Sequence, residues 1–153
     1  MLSWPIINLM DDFRGQLKEA IDAMSEAGIE PVFLVIDLRG STYIKRSQGI
    51  ASFEKFRQSA VDALAAAAEG CDTFTYGEER IVGILPGFGR LKTFALIERL
   101  RRALMLLAQS YDCTLSPDFD AVEFDSATGV AGVVNHLVAG PRETEDSVRH
   151  DPA

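Results

Sequence analysis

The chain has 153 residues and a formal net charge of −8, with 47% hydrophobic and 25% charged residues, a composition typical of one soluble globular domain. The excess of acidic residues argues against a general nucleic-acid surface or an anionic-membrane surface, because both need clustered Lys and Arg. It does not exclude a small phosphate-bearing ligand, since a bound metal ion supplies positive charge.

Two further features bear on the cell compartment. Cys71 and Cys113 match no metal-binding or redox spacing, so we interpret them as reduced, buried thiols. The N-terminus lacks the basic region of a secretion signal, and no apolar stretch is long enough to span a membrane. We therefore expect a cytoplasmic protein.

The first predicted element is a helix within residues 1–29. Its apolar side chains recur at spacings of three and four residues, at Ile6, Met10, Phe13, Leu17, Ala20 and Met24. This spacing predicts a helix with one narrow apolar seam, ending near Gly28. The seam either packs on its own domain or serves as a dimerisation or signal-input helix.

The stretch from Pro31 to Thr42 contains the first candidate site. Its apolar run is typical of a buried strand that ends at Asp37 and is followed by a turn at residues 39–42. An ionised aspartate binds cations, and the turn exposes backbone groups, so this stretch suits a cation together with a phosphate. The alternative role of Asp37 is to cap the following turn.

The remaining chain alternates between predicted helices and strands, and no element is assigned to residues 43–49. We predict helices at 51–69, 91–109 and about 126–138, and strands at 73–76, 81–85, 113–116 and 121–124. In the second of these helices, the side chains expected to face inward are Phe94, Ile97, Leu100 and Leu104. Residues 141–153 are polar and proline-punctuated, which predicts a disordered tail.

This order of elements predicts an α+β fold. It matches the ferredoxin-like βαββαβ plan, with two helices on one face of an antiparallel sheet, here covering residues 30–140 and carrying an added N-terminal helix. The first strand and the strand after the hairpin are neighbours in that topology. We therefore expect Asp37 to lie beside the hairpin tip, residues Gly77 to Arg80.

Two motifs in this region resemble known families. The run Asp37-Leu38-Arg39-Gly40-Ser41-Thr42 resembles the first motif of the bacterial class III nucleotidyl cyclases, and Gly77-Glu78-Glu79 before an apolar strand is similar to their second. The stretch from Tyr76 to Ile81 is also similar to the signature of the GGDEF diguanylate cyclases, which share the palm fold. A third element, Val134-Asn135, looks like the transition-state motif of the class III enzymes.

The resemblance implies a nucleoside triphosphate site with two Mg²⁺ or Mn²⁺ ions, since such cyclases use two metals held by two aspartates. The implied metal ligands are Asp37, the Leu38 carbonyl, and either Glu78 in class III register or Glu79 in GGDEF register. The implied nucleotide-binding residues are Gly40, Ser41, Thr42, Gly77 and Thr128, and Asn135 is the implied catalytic residue. An asparagine in an apolar helix is otherwise a hydrogen-bonded core polar group.

Several positions depart from both families. Ala139 replaces an arginine expected to stabilise transition-state charge, and Phe74 lies near a base-reading lysine position. In GGDEF register Arg80 replaces the glutamate and Glu78 replaces a glycine. These departures favour an inactive or weakly active homologue. The first hypothesis is therefore a degenerate cyclase-like signalling domain, forming a homodimer, that binds a nucleotide or a protein partner with little or no turnover.

Three other hypotheses stay open. The first is an active, divergent nucleotidyl cyclase that forms a 3′,5′-cyclic nucleotide, and the second is a non-catalytic GGDEF-like or pure protein-interaction module. The third is an anti-sigma-antagonist-like fold, which the sequence from Asp37 to Ile44 favours and the hairpin does not. None of these hypotheses calls for nucleic acid or a membrane span.

Overall fold

The computed structural model describes residues 3–123 and Gly132, with side chains from Gly15 onwards. The apolar seam before Gly15, the predicted helix at 126–138 (apart from the backbone of Gly132) and the predicted tail at 141–153 lie outside the described residues. So do two predicted site residues, Thr128 and Asn135, and the departure at Ala139.

Four helices and four strands make up the described chain. The helices are α1 (Ser3–Glu26), α2 (Thr42–Gln48), α3 (Ile50–Ala67) and α4 (Arg90–Gln109), and the strands are β1 (Pro31–Asp37), β2 (Asp72–Tyr76), β3 (Arg80–Pro86) and β4 (Asp118–Glu123). The unassigned segment at residues 43–49 is therefore mostly α2. It ends at Gly49, whose φ of 96° is a conformation that favours glycine.

The strands form one sheet in the order β2-β3-β1-β4, and every neighbouring pair is antiparallel. This is the predicted ferredoxin-like topology, with β1 and β3 as the two central strands. Every residue of β1 is buried, as expected of a continuous apolar run between two neighbours. The prediction of an α+β palm-type domain is confirmed.

Successive residues of β1 point to opposite faces of the sheet, and both faces are covered. Leu34 and Ile36 belong to the core with α3 and α4, whereas Phe33 and Val35 belong to a second core cluster. The side chains that α1 contributes to that second cluster are Leu17, Ile21 and Met24. The described half of the α1 seam therefore packs on its own sheet.

Two predictions about the second half of the chain are wrong. Residues 113–116 form no strand: the Ser116 amide donates to the Arg39 carbonyl and the Cys113 thiol to the Gly40 carbonyl, so this segment packs on a turn. Strand β4 begins at Asp118 rather than at the predicted Ala121.

The buried face of α4 also differs from the prediction. Phe94 is 64% exposed, because the face against α3 and the sheet runs through Thr93, Leu96, Leu100 and Leu104. Leu100 and Leu104 are buried as expected, and Ile97 is half-buried at the edge of this face. Over residues 3–123, the structure contains no helix with the length and apolar character needed to cross a bilayer.

Candidate functional site

A cavity of about 210 Å³ lies where β1 ends against the β2–β3 hairpin. It exists because β1 and β3 are paired neighbours, so the end of one strand meets the turn that precedes the other. The residues that line it are Asp37, Thr42, Tyr76, Gly77, Glu78, Glu79 and Arg80. The expected proximity of Asp37 and the hairpin tip is confirmed by the strand register, which pairs Asp37 with Arg80.

The deepest charged group of the cavity is Asp37, whose side chain is 1% exposed. Alternation along β1 places Asp37 on the same face as Phe33 and Val35, the face that α1 covers. Arg80 is directly opposite in the register, and its Nε lies 3.9 Å from Asp37 Oδ2 with the side chain 15% exposed. A carboxylate and a guanidinium are thus held together almost out of contact with solvent.

Glu79 turns towards the loop that follows β1. One of its carboxylate oxygens, Oε2, accepts hydrogen bonds from the Ser41 hydroxyl at 3.3 Å and the Thr42 amide at 3.2 Å. Its main-chain carbonyl accepts from the Leu38 amide at 2.6 Å. These three bonds fasten the hairpin tip to the start of α2 and place the Glu79 carboxylate beside the Asp37 loop.

Glu78 points away from that loop and is exposed. Its Oε1 lies 2.7 Å from Lys45 Nζ, and this hydrogen bond, followed by the lysine charge, lowers the pKa of Glu78. Arg57 reaches from α3 and donates to the Gly77 carbonyl at 3.2 Å and the Glu78 carbonyl at 3.4 Å. The two glutamates of the hairpin therefore have separate surroundings, one at the loop and one at the cationic rim.

The turn after β1 is held tightly from behind. Gly40 has a φ of 97°, and a Cβ there would lie 3.2 Å from the Thr114 carbonyl oxygen, so only glycine suits both the backbone and the space. Arg39 forms an ion pair with Asp118 at 2.9 Å, and Asp118 is the β4 partner of Asp37 in the register. These contacts hold the turn in place on one side of the cavity.

The donor set does not fit a site for a hard divalent cation. Such ions prefer six or more oxygen ligands, with several carboxylates turned to one point. Among residues 15–123, whose side chains the structure describes, no group of three or more His, Cys, Asp or Glu could hold a metal ion. Asp37 instead faces the guanidinium of Arg80, and Glu79 is engaged by Ser41 and Thr42.

The structure brings together five of the eight predicted site residues that it describes. Those that line the cavity are Asp37, Thr42, Gly77, Glu78 and Glu79. The other predicted positions have different surroundings: Leu38 is buried in the main core, Ser41 is buried and bonded to Glu79, and Gly40 packs on residue 114. Their roles towards a metal ion or a nucleotide remain predictions.

Sequence reasoning missed the cations of the site. The resemblance marks Arg80 only as a loss from the GGDEF signature, and it assigns no role to Lys45 or Arg57. The register between β1 and β3 is the signal that identifies Arg80, because it pairs the first residue of β3 with Asp37, the last residue of β1. Lys45 and Arg57 come from two helices, and their approach to the hairpin depends on tertiary packing.

No protein-family model matches the chain, and no curated protein matches it. Solved structures do. The GGDEF domain of DgcB from Caulobacter crescentus, determined in complex with c-di-GMP, is similar with a TM-score of 0.70 and 13% identity, over 88% of this chain and 83% of that one. The described chain has the fold of GGDEF domains.

Two proteins from Pseudomonas aeruginosa share the GGDEF fold. The FimX GGDEF domain has a TM-score of 0.66 at 14% identity, over 92% of this chain and 88% of that one. Diguanylate cyclase SiaD, determined with its activator SiaC, has a TM-score of 0.72 at 16% identity, over 90% of this chain and 54% of that one. This chain thus spans about half the length of SiaD, and identities this low establish the fold alone.

Proposed function

We propose that the chain is a degenerate, nucleotidyl cyclase-like signalling domain that binds a nucleoside triphosphate with little or no turnover. The GGDEF fold supports a nucleotide ligand, since the DgcB domain with this fold was determined with c-di-GMP. We place the nucleotide in the cavity at the end of β1. Thr42 and Glu78 line this cavity and also a neighbouring one of about 760 Å³, which Lys45 and Arg46 line as well. Lysine and arginine are the side chains that bind phosphate groups.

The observation that carries the low turnover is the ion pair between Asp37 and Arg80. Two-metal cyclisation needs carboxylates that ligate cations in order to activate a hydroxyl and neutralise the phosphates. A buried carboxylate that already faces a guanidinium would have to exchange that partner for a metal ion, and separating a buried ion pair costs free energy. Glu78, which is exposed, also has a cationic partner, because it forms an ion pair with Lys45.

We assign the second carboxylate of the site to Glu79 rather than Glu78. The Glu79 carboxylate lies beside the loop that follows Asp37, bonded to Ser41 and Thr42, whereas Glu78 turns to Lys45 at the exposed rim. This placement supports the GGDEF register of the hairpin. In that register Arg80 takes the position of the signature glutamate.

The test is calorimetric titration of the protein with ATP, GTP, CTP and UTP, in Mn²⁺ and in EDTA, followed by chromatography of each mixture. We expect at least one triphosphate to bind and to be recovered unchanged. Thr42→Phe should block the cavity, because Thr42 lines it, while Thr75→Phe at an exposed position of β2 is the matched control. Absence of binding by all four triphosphates would contradict the proposal.

The second candidate is an active, divergent nucleotidyl cyclase, favoured by the fact that Asp37 and Glu79 line one cavity. It would form a 3′,5′-cyclic nucleotide with Mg²⁺ or Mn²⁺ held by these carboxylates. A cyclic product in the chromatogram that disappears with Asp37→Ala would establish it. A third candidate is a pure protein-interaction module, which predicts no triphosphate binding. SiaD, a diguanylate cyclase with this fold, was determined with a protein activator, so a domain of this fold can bind a protein partner.

A homodimer remains part of the proposal, carried by the seam residues before Gly15. The described seam residues Leu17 and Met24 are buried against the sheet of the same chain, so a dimer contact made by this seam would use its residues before Gly15. Phe13→Glu should therefore halve the molar mass measured by light scattering. A stable dimer in that variant would show that the seam is not the interface.

A further inference from the structure

We infer that Arg80 permanently takes the place of a divalent cation at this site, so that ligand binding is independent of metal ions. The inference rests on the proposed function for its nucleotide part, and its metal part can be tested on the protein alone. It predicts that a metal ion will bind at this site once a mutation removes the positive charge of Arg80.

The position of Arg80 is fixed by the fold. Asp37 is the last residue of β1 and Arg80 is the first residue of β3, and the antiparallel register places them directly opposite each other. Directly opposite residues point to the same face of a sheet. Six further pairs, from Ile36 with Ile81 to Pro31 with Pro86, hold this register, so the backbone of Arg80 cannot move away from Asp37 without breaking the centre of the sheet.

Each carboxylate of the cavity is already engaged by groups of this chain. Asp37 faces Arg80, Glu78 is bonded to Lys45, and Glu79 accepts from the Ser41 hydroxyl and the Thr42 amide. An arriving divalent cation would meet the positive charge of Arg80 at the deepest carboxylate. Like charges a few ångströms apart repel each other, and burial strengthens the repulsion because water screens it less. Metal binding is therefore disfavoured by the residues present.

A guanidinium can supply the charge that a metal ion would bring to a phosphate. It is always protonated, it carries five N–H donors, and it can bind carboxylate and phosphate oxygens together. Arg80 lines the cavity, so a ligand phosphate placed there would meet a positive charge without any metal ion. Nucleotide affinity should then be the same in EDTA and in Mn²⁺.

The first experiment measures Mn²⁺ binding to the nucleotide-free protein by electron paramagnetic resonance of the free ion. We expect the wild-type protein and Arg80→Lys to bind Mn²⁺ weakly, and Arg80→Gln to bind it at least about tenfold more tightly, because the repelling charge is removed. Asp37→Asn combined with Arg80→Gln should lose this gain. Arg102→Gln, an exposed arginine of α4, is the matched control and should behave as wild type.

The second experiment measures the affinity of the same proteins for whichever of ATP, GTP, CTP or UTP the wild-type protein binds. The wild-type affinity should differ less than about twofold between EDTA and Mn²⁺, whereas Arg80→Gln should lose about tenfold or more in EDTA and recover in Mn²⁺. Two results would overturn the inference: wild-type protein that binds Mn²⁺ as tightly as Arg80→Gln, or wild-type affinity for the triphosphate that requires Mn²⁺.

Both decisive comparisons keep a wild-type arm, so the inference stays testable if Arg80→Gln fails to fold. A wild-type protein that binds Mn²⁺ tightly would reject the inference without any variant. If no triphosphate binds at all, the proposed function fails, while the Mn²⁺ measurements still decide whether Arg80 occupies the cation position. The two failures are therefore distinguishable.

Discussion

The middle and the end of strand β1 have opposite chemistry. In the middle, Leu34 is fully buried and lies between Gly83 of β3 and Ala121 of β4. Three residues later, Asp37 lies between Arg80 and Asp118 in the same two neighbours. The same strand pairing therefore fills a core in one place and gathers charges in another.

This difference shows how the core determines the site. A shift of one residue in the register would turn every side chain of β1 to the other face of the sheet. Leu34 would leave the core under α3 and α4, and Asp37 would leave the face on which Arg80 lies. The burial of the apolar residues thus selects the register, and the register brings the charges together.

The largest expected effect is at the centre of the strand. Leu34→Ala should lower the free energy of unfolding by about 2–5 kcal/mol, because the neighbours Gly83 and Ala121 are too small to fill the space. Urea unfolding followed by circular dichroism measures the loss. The matched control is Leu91→Ala at a position that is 87% exposed, where we expect a change within about 0.5 kcal/mol. Equal losses would contradict the packing described for β1.

A gain of volume at the same level should also destabilise the protein. A Cβ at Gly83 would lie 2.9 Å from Leu64 Cδ2 and 3.1 Å from the Cys71 sulfur, so Gly83→Ala should cost about 1–3 kcal/mol through overpacking. Gly15→Ala is the control, since a Cβ there meets nothing within 4 Å. That change should stabilise α1 by about 0.5–1 kcal/mol. The same sign for both variants in urea unfolding would reject this account.

At the charged end of β1, Asp37→Asn should cost about 1–3 kcal/mol, because Arg80 loses its carboxylate partner in a buried place. The exposed Asp72 provides the isosteric control, and Asp72→Asn should leave the urea midpoint unchanged within error. If Asp37→Asn were as stable as the wild type, the ion pair would have no structural role. A more stable variant would indicate that the site holds Asp37 at the expense of stability.

The fold was predictable because its signals are local. The apolar run before Asp37, the glycines that end the helices, and the hairpin at Gly77 each define an element, and their order selects the topology. The proximity of Asp37 to the hairpin then follows from topology alone. Local patterns could therefore locate the site before any side chain was placed.

The failures concern pairings between distant residues. The segment at 113–116 has the sequence pattern of a strand. Its Ser116 amide and Cys113 thiol instead donate to carbonyls of the turn after β1, and the sequence does not indicate that these two segments are neighbours. Phe94 has the spacing of a core residue, but Thr93 and Leu96 define the buried face of α4. The choice between Glu78 and Glu79 and the role of Arg80 depend on strand register and on Ser41 and Lys45, which tertiary packing alone brings near.

The smallest expected effect lies at the exposed rim of the cavity. The pKa of Glu78 is lowered by the hydrogen bond and the charge of Lys45, so the pair stabilises the fold above the ordinary pKa of a glutamate and loses that contribution as the pH falls through the lowered pKa. Lys45→Met should return the pKa of Glu78 towards its ordinary value, as measured by NMR titration, with no detectable change in the urea midpoint at neutral pH. Lys55→Met, on the exposed face of α3, should leave the pKa of Glu78 unchanged. If Lys45→Met instead destabilised the protein as much as Asp37→Asn, the exposed rim and the buried end of β1 would not differ in the way their burial indicates.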